Sequence, residues 1–502
     1  MFSMTADTSN GGNTFAYEVT DFYGNVVKKN DKKYCKEGKF NLSLSGLDVG
    51  YYEITAYNNA EKGKKQLAKT TFSILERHEF EPASESYFGV NMHMYRSYQS
   101  NGWGFNLIKN AYNIGAVNLR DGREWEDVEN PKGTYNFKYA QFMEMINERN
   151  MDLLMITGFK NKNYQDGLPP YTDEGRQAFA NYSKAAFEQY KGFLKSQEMF
   201  NEWWKYEPDD DGVRDYEEIQ GTYDEYFEIA KKTYTTIDKE NYPNAFLLAE
   251  FRDEMDTWSK PLIEAGIIDY MDGAALHRYG MDYGKYNPIH LPEDDVVTSE
   301  VKQLRKLLDE NGGADKPIWL TETGYTTTIN KYGVTEEEQA KYLPRLLINF
   351  ISEGVEKLYW YDLLDDGIVD YEDKGATHEY HFGLMRSKEN SLGGFSPKPA
   401  YVSYGVLTRV LDGKKYQEKE IVEKGSFWNK YKICRYVFKD ETTITTALCT
   451  SKSTTNVTLV TDEVLKVTDL MGRKSELVPE NGEINLTLTD NMIYIDGEFT
   501  MK

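Results

Sequence analysis

The sequence predicts an α/β fold, a (β/α)₈ TIM barrel flanked by an N-terminal and a C-terminal β-sandwich domain. Three observations carry that prediction. Between about residues 87 and 413, eight short apolar runs alternate with longer amphipathic stretches, the pattern of a parallel barrel. The segments on either side alternate apolar and polar residues with the period of half-buried strands. No Gly-rich phosphate loop follows the first run, where Phe88-Gly89-Val90-Asn91-Met92-His93 stands, and this disfavours the rival doubly wound sheet.

A chain of 502 residues exceeds what a single core supports. The patterns divide it into 1–82, an immunoglobulin-like sandwich, 83–412, the barrel, and 413–502, a second sandwich. In the first segment Phe15–Thr20, Lys39–Leu44, Tyr51–Tyr57 and Lys69–Leu75 read as strands separated by Gly- and Asn-containing turns. The eight barrel strands are expected at Phe88–His93, Ala116–Leu119, Leu153–Thr157, Glu198–Asn201, Phe246–Glu250, Gly273–Leu276, Ile318–Thr321 and Lys357–Tyr361.

Helices are expected between them, among others at Tyr139–Arg149, Arg176–Leu194, Tyr223–Asp238, Ser299–Leu308 and Glu336–Ser352. Thr335 and Glu338 have capping-box spacing and Gly354 closes that helix, although Pro344 inside it should kink it. Ser396 before Pro397 reads as the cap of a last helix running to Leu411. Short strands then return at Tyr431–Phe438, Thr442–Cys449, Asn456–Leu459, Glu483–Leu488 and Met492–Ile495.

Bulk properties exclude several classes of function. A formal net charge of −23 argues against a nucleic-acid partner or an anionic membrane surface, both of which call for a basic face. No apolar run approaches the roughly 18 residues of a membrane span. Three cysteines, Cys35, Cys434 and Cys449, form neither a disulfide framework nor a metal cluster; Cys434 and Cys449 could pair or stay free. The acidic runs Asp209–Asp211 and Glu293–Asp295 read as solvated loops and helix starts, and no cofactor or metal is expected. Met1–Phe15 lacks a signal pattern, so the chain is either cytoplasmic or a mature form exported to the periplasm, the cell surface or the medium.

In a parallel barrel the strands' C-terminal ends face one shared mouth. His93, Arg120, Asn201, Glu202, His277, Tyr279, Glu322 and Trp360 stand at or near those ends. Glu202 and Glu322 each end an apolar run, where a carboxylate is costly unless used or paired. The fourth and seventh strands lie across the mouth from each other. Two carboxylates so placed suit glycosidic cleavage, in which one protonates the leaving oxygen and the other attacks carbon or activates water. Glu250 and Asp362 are the acidic competitors near other strand ends.

These residues sit in motifs that resemble glycoside hydrolase clan A, nearest to family 39 and its relatives. The motifs are Phe200-Asn201-Glu202-Trp203, His277-Arg278-Tyr279, Leu320-Thr321-Glu322-Thr323-Gly324, Tyr359-Trp360-Tyr361-Asp362, and Phe382-Gly383-Leu384 followed by Ser396-Pro397-Lys398-Pro399-Ala400-Tyr401. Many relatives have proline after the Asn-Glu pair, whereas this chain has Trp203-Trp204.

The resemblance implies a retaining β-glycosidase with a carbohydrate substrate, Glu202 as acid/base and Glu322 as nucleophile. It further implies that Asn201 binds the sugar 2-hydroxyl and that Arg120 and Tyr279 contact the nucleophile, Arg120 keeping it ionised while Glu202 holds a proton. Trp360 would floor the sugar ring, with His93 and His277 donating to its hydroxyls. Trp125 and Trp203 are candidates for further sugar platforms or for core packing. The competing readings are an inactive carbohydrate-binding barrel, marked by a missing carboxylate, and a metal-dependent enzyme, marked by His and Asp clusters at strand ends.

Overall fold

The computed structural model describes residues 2–5, 14–34, 39–43, 45–58, 65–94, 104–138, 140–164, 168–203, 222–282, 289–329, 333–367, 377–426 and 429–502. Its N-terminal sheet is antiparallel, in the order β3-β2-β5-β6, from β2 (Thr14–Asp21), β3 (Val26–Tyr34), β5 (Gly50–Asn58) and β6 (Lys65–Ile74). A separate ribbon pairs β1 (Phe2–Thr5) with β4 (Lys39–Leu42). Alternation decides what each face buries. Phe15, Tyr17, Val19, Tyr52, Ile54 and Phe72 form the sheet's own core, while Tyr51, on the other side of β5, joins the barrel's core. The sequence pattern misses β3, whose Val-Val-Lys-Lys-Asn-Asp-Lys-Lys-Tyr reads as polar. It is an edge strand, and lysines suit an edge that must not recruit another chain.

The barrel closes from eight parallel strands in chain order: β7 (Phe88–Asn91), β8 (Asn118–Glu124), β9 (Asp152–Gly158), β10 (Ser196–Met199), β11 (Phe246–Phe251), β12 (Gly273–His277), β13 (Ile318–Thr323) and β14 (Val355–Trp360). Leu154, Leu248, Ala275, Trp319 and Tyr359 come from five strands and pack on one another, which only the barrel interior permits. Gly89 makes room for this filling. A Cβ there would stand 2.6 Å from the Asn118 carbonyl oxygen and 2.7 Å from the Tyr359 ring. Outside, strand and helix residues share the large core of the molecule.

The helix Glu336–Ser352 begins with the expected capping box of Thr335 and Glu338, and Gly354 follows it at φ +85°. It continues through Pro344 as one helix. The last barrel helix corrects the sequence expectation. It starts at Pro399 with Lys398 as cap, because the Ser396 hydroxyl instead receives the Arg386 guanidinium at 3.3 Å.

Beyond Leu411 a six-stranded sheet runs β15-β16-β17-β22-β19-β20, from β15 (Lys415–Lys424), β16 (Tyr431–Lys439), β17 (Ile444–Thr450), β19 (Leu465–Thr468), β20 (Lys474–Leu477) and β22 (Ile493–Asp496). It faces a three-stranded sheet of β18 (Thr454–Val460), β21 (Glu483–Thr489) and β23 (Thr500–Met501). Ile433, Leu448, Val457, Leu459 and Ile484 fill the sandwich between them. Cys434, Tyr436, Phe438 and Tyr494 point the other way and merge with the barrel's core. Cys434 and Cys449 lie directly opposite each other as buried free thiols, and Cys35 lies outside the described residues.

Glu293, expected on a solvated run, is instead buried and holds the Arg345 guanidinium through two contacts of 2.5 Å. Arg345 also donates to the Asp490 carbonyl at 3.3 Å, so this pair ties the barrel to the C-terminal sandwich. The two flanking units also touch. Tyr23 donates to Asp469 at 2.8 Å and Arg473 to Asp21 at 2.9 Å. No helix among the described residues is long and apolar enough to cross a membrane.

Candidate active site

The strand ends bring the predicted carboxylates together. Glu322 is carried by β13, and its register partner across β12 is His277, which a bulge after Leu276 has shifted into place. Glu202 lies three residues past β10, after a turn that forces Phe200 to φ +78° and Glu202 itself to φ +49°. One carboxylate oxygen of Glu202 and one of Glu322 lie within 4.8 Å of each other and of a His277 ring nitrogen.

Glu322 is held at both oxygens. Arg120 Nη1 donates to Oε1 at 2.7 Å and the Tyr279 hydroxyl to Oε2 at 2.5 Å. Arg120, fully buried on β8, also donates to Glu198 at 2.6 Å, to the Asn91 side-chain oxygen at 2.7 Å, and to that of Asn201. Its use of the Asn201 oxygen makes the amide nitrogen the end of Asn201 able to donate elsewhere. Asn91 and Glu198 escape the motif reading. Glu198 carries the same signal as the other two glutamates, a carboxylate inside an apolar run, but its side chain is wholly enclosed and serves Arg120, Thr321 and His277.

Charge in this cluster is finely divided. Burial works to raise the Glu198 carboxyl, yet Arg120 and His277 overrule it and hold it below its ordinary range. Burial likewise opposes a charge on His277, but Glu322, Glu198 and Glu202 push its pKa up to about 10. The imidazolium so favoured meets Glu202 Oε1 at 2.8 Å through Nδ1. Glu250, at the end of β11, goes the other way. Burial and the nearby charges of Glu198 and Glu202, against the pull of His277, raise it well above the carboxylate range.

A second group lines the mouth where β7 and β14 end. His93, at φ +47°, sets Nδ1 3.2 Å from Asp366 and 3.5 Å from Asp362. Burial and the repulsion of Asp366 and Asp365 push the Asp362 carboxyl up to about 7 despite His93. These three side chains bring a ring nitrogen and two carboxylate oxygens within 4.8 Å, close enough to hold a small cation as well as sugar hydroxyls.

The aromatic expectations need correction. Trp360 is fully buried, with its indole donating to the Phe382 carbonyl at 3.2 Å, so it offers no face to the cleft. The next residue, Tyr361, is the partly exposed ring. It lies 5.5 Å from the His93 ring and 6.3 Å from Tyr279, and it senses the charge of Glu322. Trp125 and Trp203 are core residues. Trp125 stacks on Tyr164 at 5.2 Å and donates to Glu129 at 2.6 Å, and Trp203 sits edge-on to Phe200 at 4.9 Å. Trp204 and the acidic run Asp209–Asp211 lie outside the described residues, as does most of the loop that contains them.

No protein-family model and no curated protein matches this chain. Solved structures do. A family 39 glycoside hydrolase from the gut symbiont Bacteroides cellulosilyticus WH2 superposes with a TM-score of 0.71 over 97% of this chain and 96% of its own, at 22% sequence identity. The chain has the fold of the family 39 glycoside hydrolases. That fold extends to a family 39 enzyme from Xanthomonas axonopodis pv. citri, with a TM-score of 0.50, 11% identity and coverage of 83% and 95%. It reaches as far as a family 51 arabinofuranosidase from the same organism, with a TM-score of 0.54, 10% identity and coverage of 84% and 98%. The family 39 resemblance read from the motifs therefore holds at the level of fold, over the flanking β-sheet units as well as the barrel.

Proposed function

We propose that this protein is a retaining glycoside hydrolase that cleaves β-linked neutral sugars, with Glu202 as acid/base and Glu322 as nucleophile. The observation that carries the reading is the approach of the two carboxylates to within 4.8 Å. Retaining enzymes keep theirs about 5–5.5 Å apart, whereas inverting enzymes need roughly 6.5–9.5 Å to admit a water.

The roles follow from the surroundings. Two charge-assisted donors, Arg120 and Tyr279, favour an ionised Glu322 aimed across the cleft. The proton shared by Glu202 and His277, whose Nδ1 lies 2.8 Å from Glu202 Oε1, passes from Glu202 to the leaving oxygen as Glu322 Oε attacks the anomeric carbon and the glycosidic C–O bond breaks. Glu202, now a carboxylate beside the His277 ring, then takes a proton from water, whose oxygen displaces Glu322 and releases the sugar. Asn201, whose side-chain oxygen is taken up by Arg120, donates its amide N–H to the 2-hydroxyl. Asp366 and Asp362 accept from sugar hydroxyls, and negative charge on this acidic pair repels uronates, which favours a neutral substrate. Tyr361 takes the part of ring platform. We infer that 1–82, 83–412 and 413–502 act as support, catalytic barrel and support.

The test is turnover of a panel of aryl β-glycosides and β-linked oligosaccharides, with the anomer formed first followed by NMR. Cleavage with retained β-configuration, lost in Glu202→Gln and Glu322→Gln on unactivated substrates, is expected. An initial α-anomer, or full rate in Glu322→Gln, would overturn the assignment.

A further inference from the structure

Glu202 owes its place to a turn that non-glycine residues avoid. Phe200 and Glu202 both adopt positive φ, at a cost of about 1–2 kcal/mol each. Two buried side chains grip the two ends of this turn. The Tyr226 hydroxyl donates to the Met199 carbonyl at 3.0 Å and accepts from the Glu250 backbone N–H at 2.6 Å. Glu250 Oε1 in turn accepts from the Glu202 backbone N–H at 2.7 Å. The strained turn is therefore clamped to β11 before it and after it.

Glu250 is hard to explain as a stabilising residue. It is fully buried, and among the described residues its Oε2 has no hydrogen-bond partner and its one ion-pair contact, His277 Nε2 to Oε1, is a long 3.9 Å. A buried carboxyl with that little support costs stability. It is retained at a point where its one strong hydrogen bond falls on the backbone of the acid/base.

We propose that Glu250 is a positioning residue for the acid/base, fixing the backbone of Glu202 while His277 fixes its carboxyl. The proposal rests on the assignment of Glu202 as acid/base. Its consequence is specific: loss of Glu250 weakens proton delivery to the leaving group and leaves attack by Glu322 intact.

The test compares an alkyl β-glycoside, whose departure needs the proton, with a dinitrophenyl β-glycoside, whose departure does not. Glu250→Leu should lower kcat/KM on the alkyl substrate by about tenfold or more, a part of the 10²–10⁴ that acid catalysis supplies. The rate of glycosyl-enzyme formation from the dinitrophenyl substrate should change less than about twofold. Glu250→Gln keeps an acceptor for the Glu202 N–H and should restore most of the alkyl rate. Tyr226→Phe, which loosens the other end of the turn, should show the same leaving-group dependence if the leucine variant does not fold. Equal losses on both substrates, or a glutamine variant no better than leucine, would overturn the proposal. Glu202→Gln serves as reference. If it lacks the leaving-group dependence, the acid/base assignment itself fails, whatever Glu250 does.

Discussion

At the scale of single residues, the cleft links protonation to folding. His277 is raised from its ordinary value of 6.5 to about 10, so its contribution is complete below 6.5 and is lost as pH climbs through 10. Asp362 is raised from 3.8 to about 7, so stability falls between those values as its buried carboxyl must ionise. Both act in one direction. Thermal stability should decline from pH 6 to pH 10, and His277→Gln should flatten the upper part of that decline in a series of melting curves. Asp362→Asn should flatten the part below 7. Arg120 belongs to the same scale: Arg120→Met leaves Glu198 and Glu322 facing each other's cluster without their cation, and about 3–5 kcal/mol of stability should go with it, read by denaturant unfolding.

What the sequence discloses at this scale follows chemistry. Glu202, Glu322 and Tyr279 are legible because each stands near a strand end in a motif, and Arg120 because it follows the second apolar run, although β8 continues past it to Glu124; the structure brings all four together. Glu198 and Glu250 carry the same polar-in-apolar signal, but which partner meets which carboxylate depends on barrel stagger, which no linear spacing encodes. The Trp360 expectation misses by one position. Successive strand residues face opposite sides, so a slip of one exchanges the cleft ring, Tyr361, for its buried neighbour.

Elements were legible where their period was clean. All eight barrel strands and the Thr335 capping box follow from pattern alone, whereas β3 and β15, charged edge strands, do not. One close approach in the barrel is at Gly89 of β7. Gly89→Ala drives a methyl group into Tyr359 and the Asn118 carbonyl, and should cost about 1–3 kcal/mol in unfolding free energy. A melting point unchanged by that substitution would mean that the interior layer relaxes freely. The substituted strand bears Asn91, so the rate of cleavage should fall along with stability.

For the whole molecule, the relevant fact is that one continuous apolar core includes residues of both the barrel and the C-terminal sheet, from Val90 and Leu346 to Tyr436 and Tyr494. A chain ending at residue 412 would bare that face, so it should aggregate when expressed alone. The intact protein should lose its barrel and C-terminal signals in one calorimetric transition. The N-terminal sheet has a core of its own and could melt earlier.

The contacts of Tyr23 with Asp469 and of Arg473 with Asp21 also close a circuit. Each of the three units rests on the other two, and the covalent connection between the first and second runs alongside non-covalent ones. Glu76, within that connection, is itself gripped by Lys474 at 2.9 Å and, through its carbonyl, by Arg409 at 3.0 Å. A protease that nicks the chain there would cut the polypeptide without parting the molecule: the severed N-terminal piece would travel with the remainder through gel filtration and separate only in denaturant.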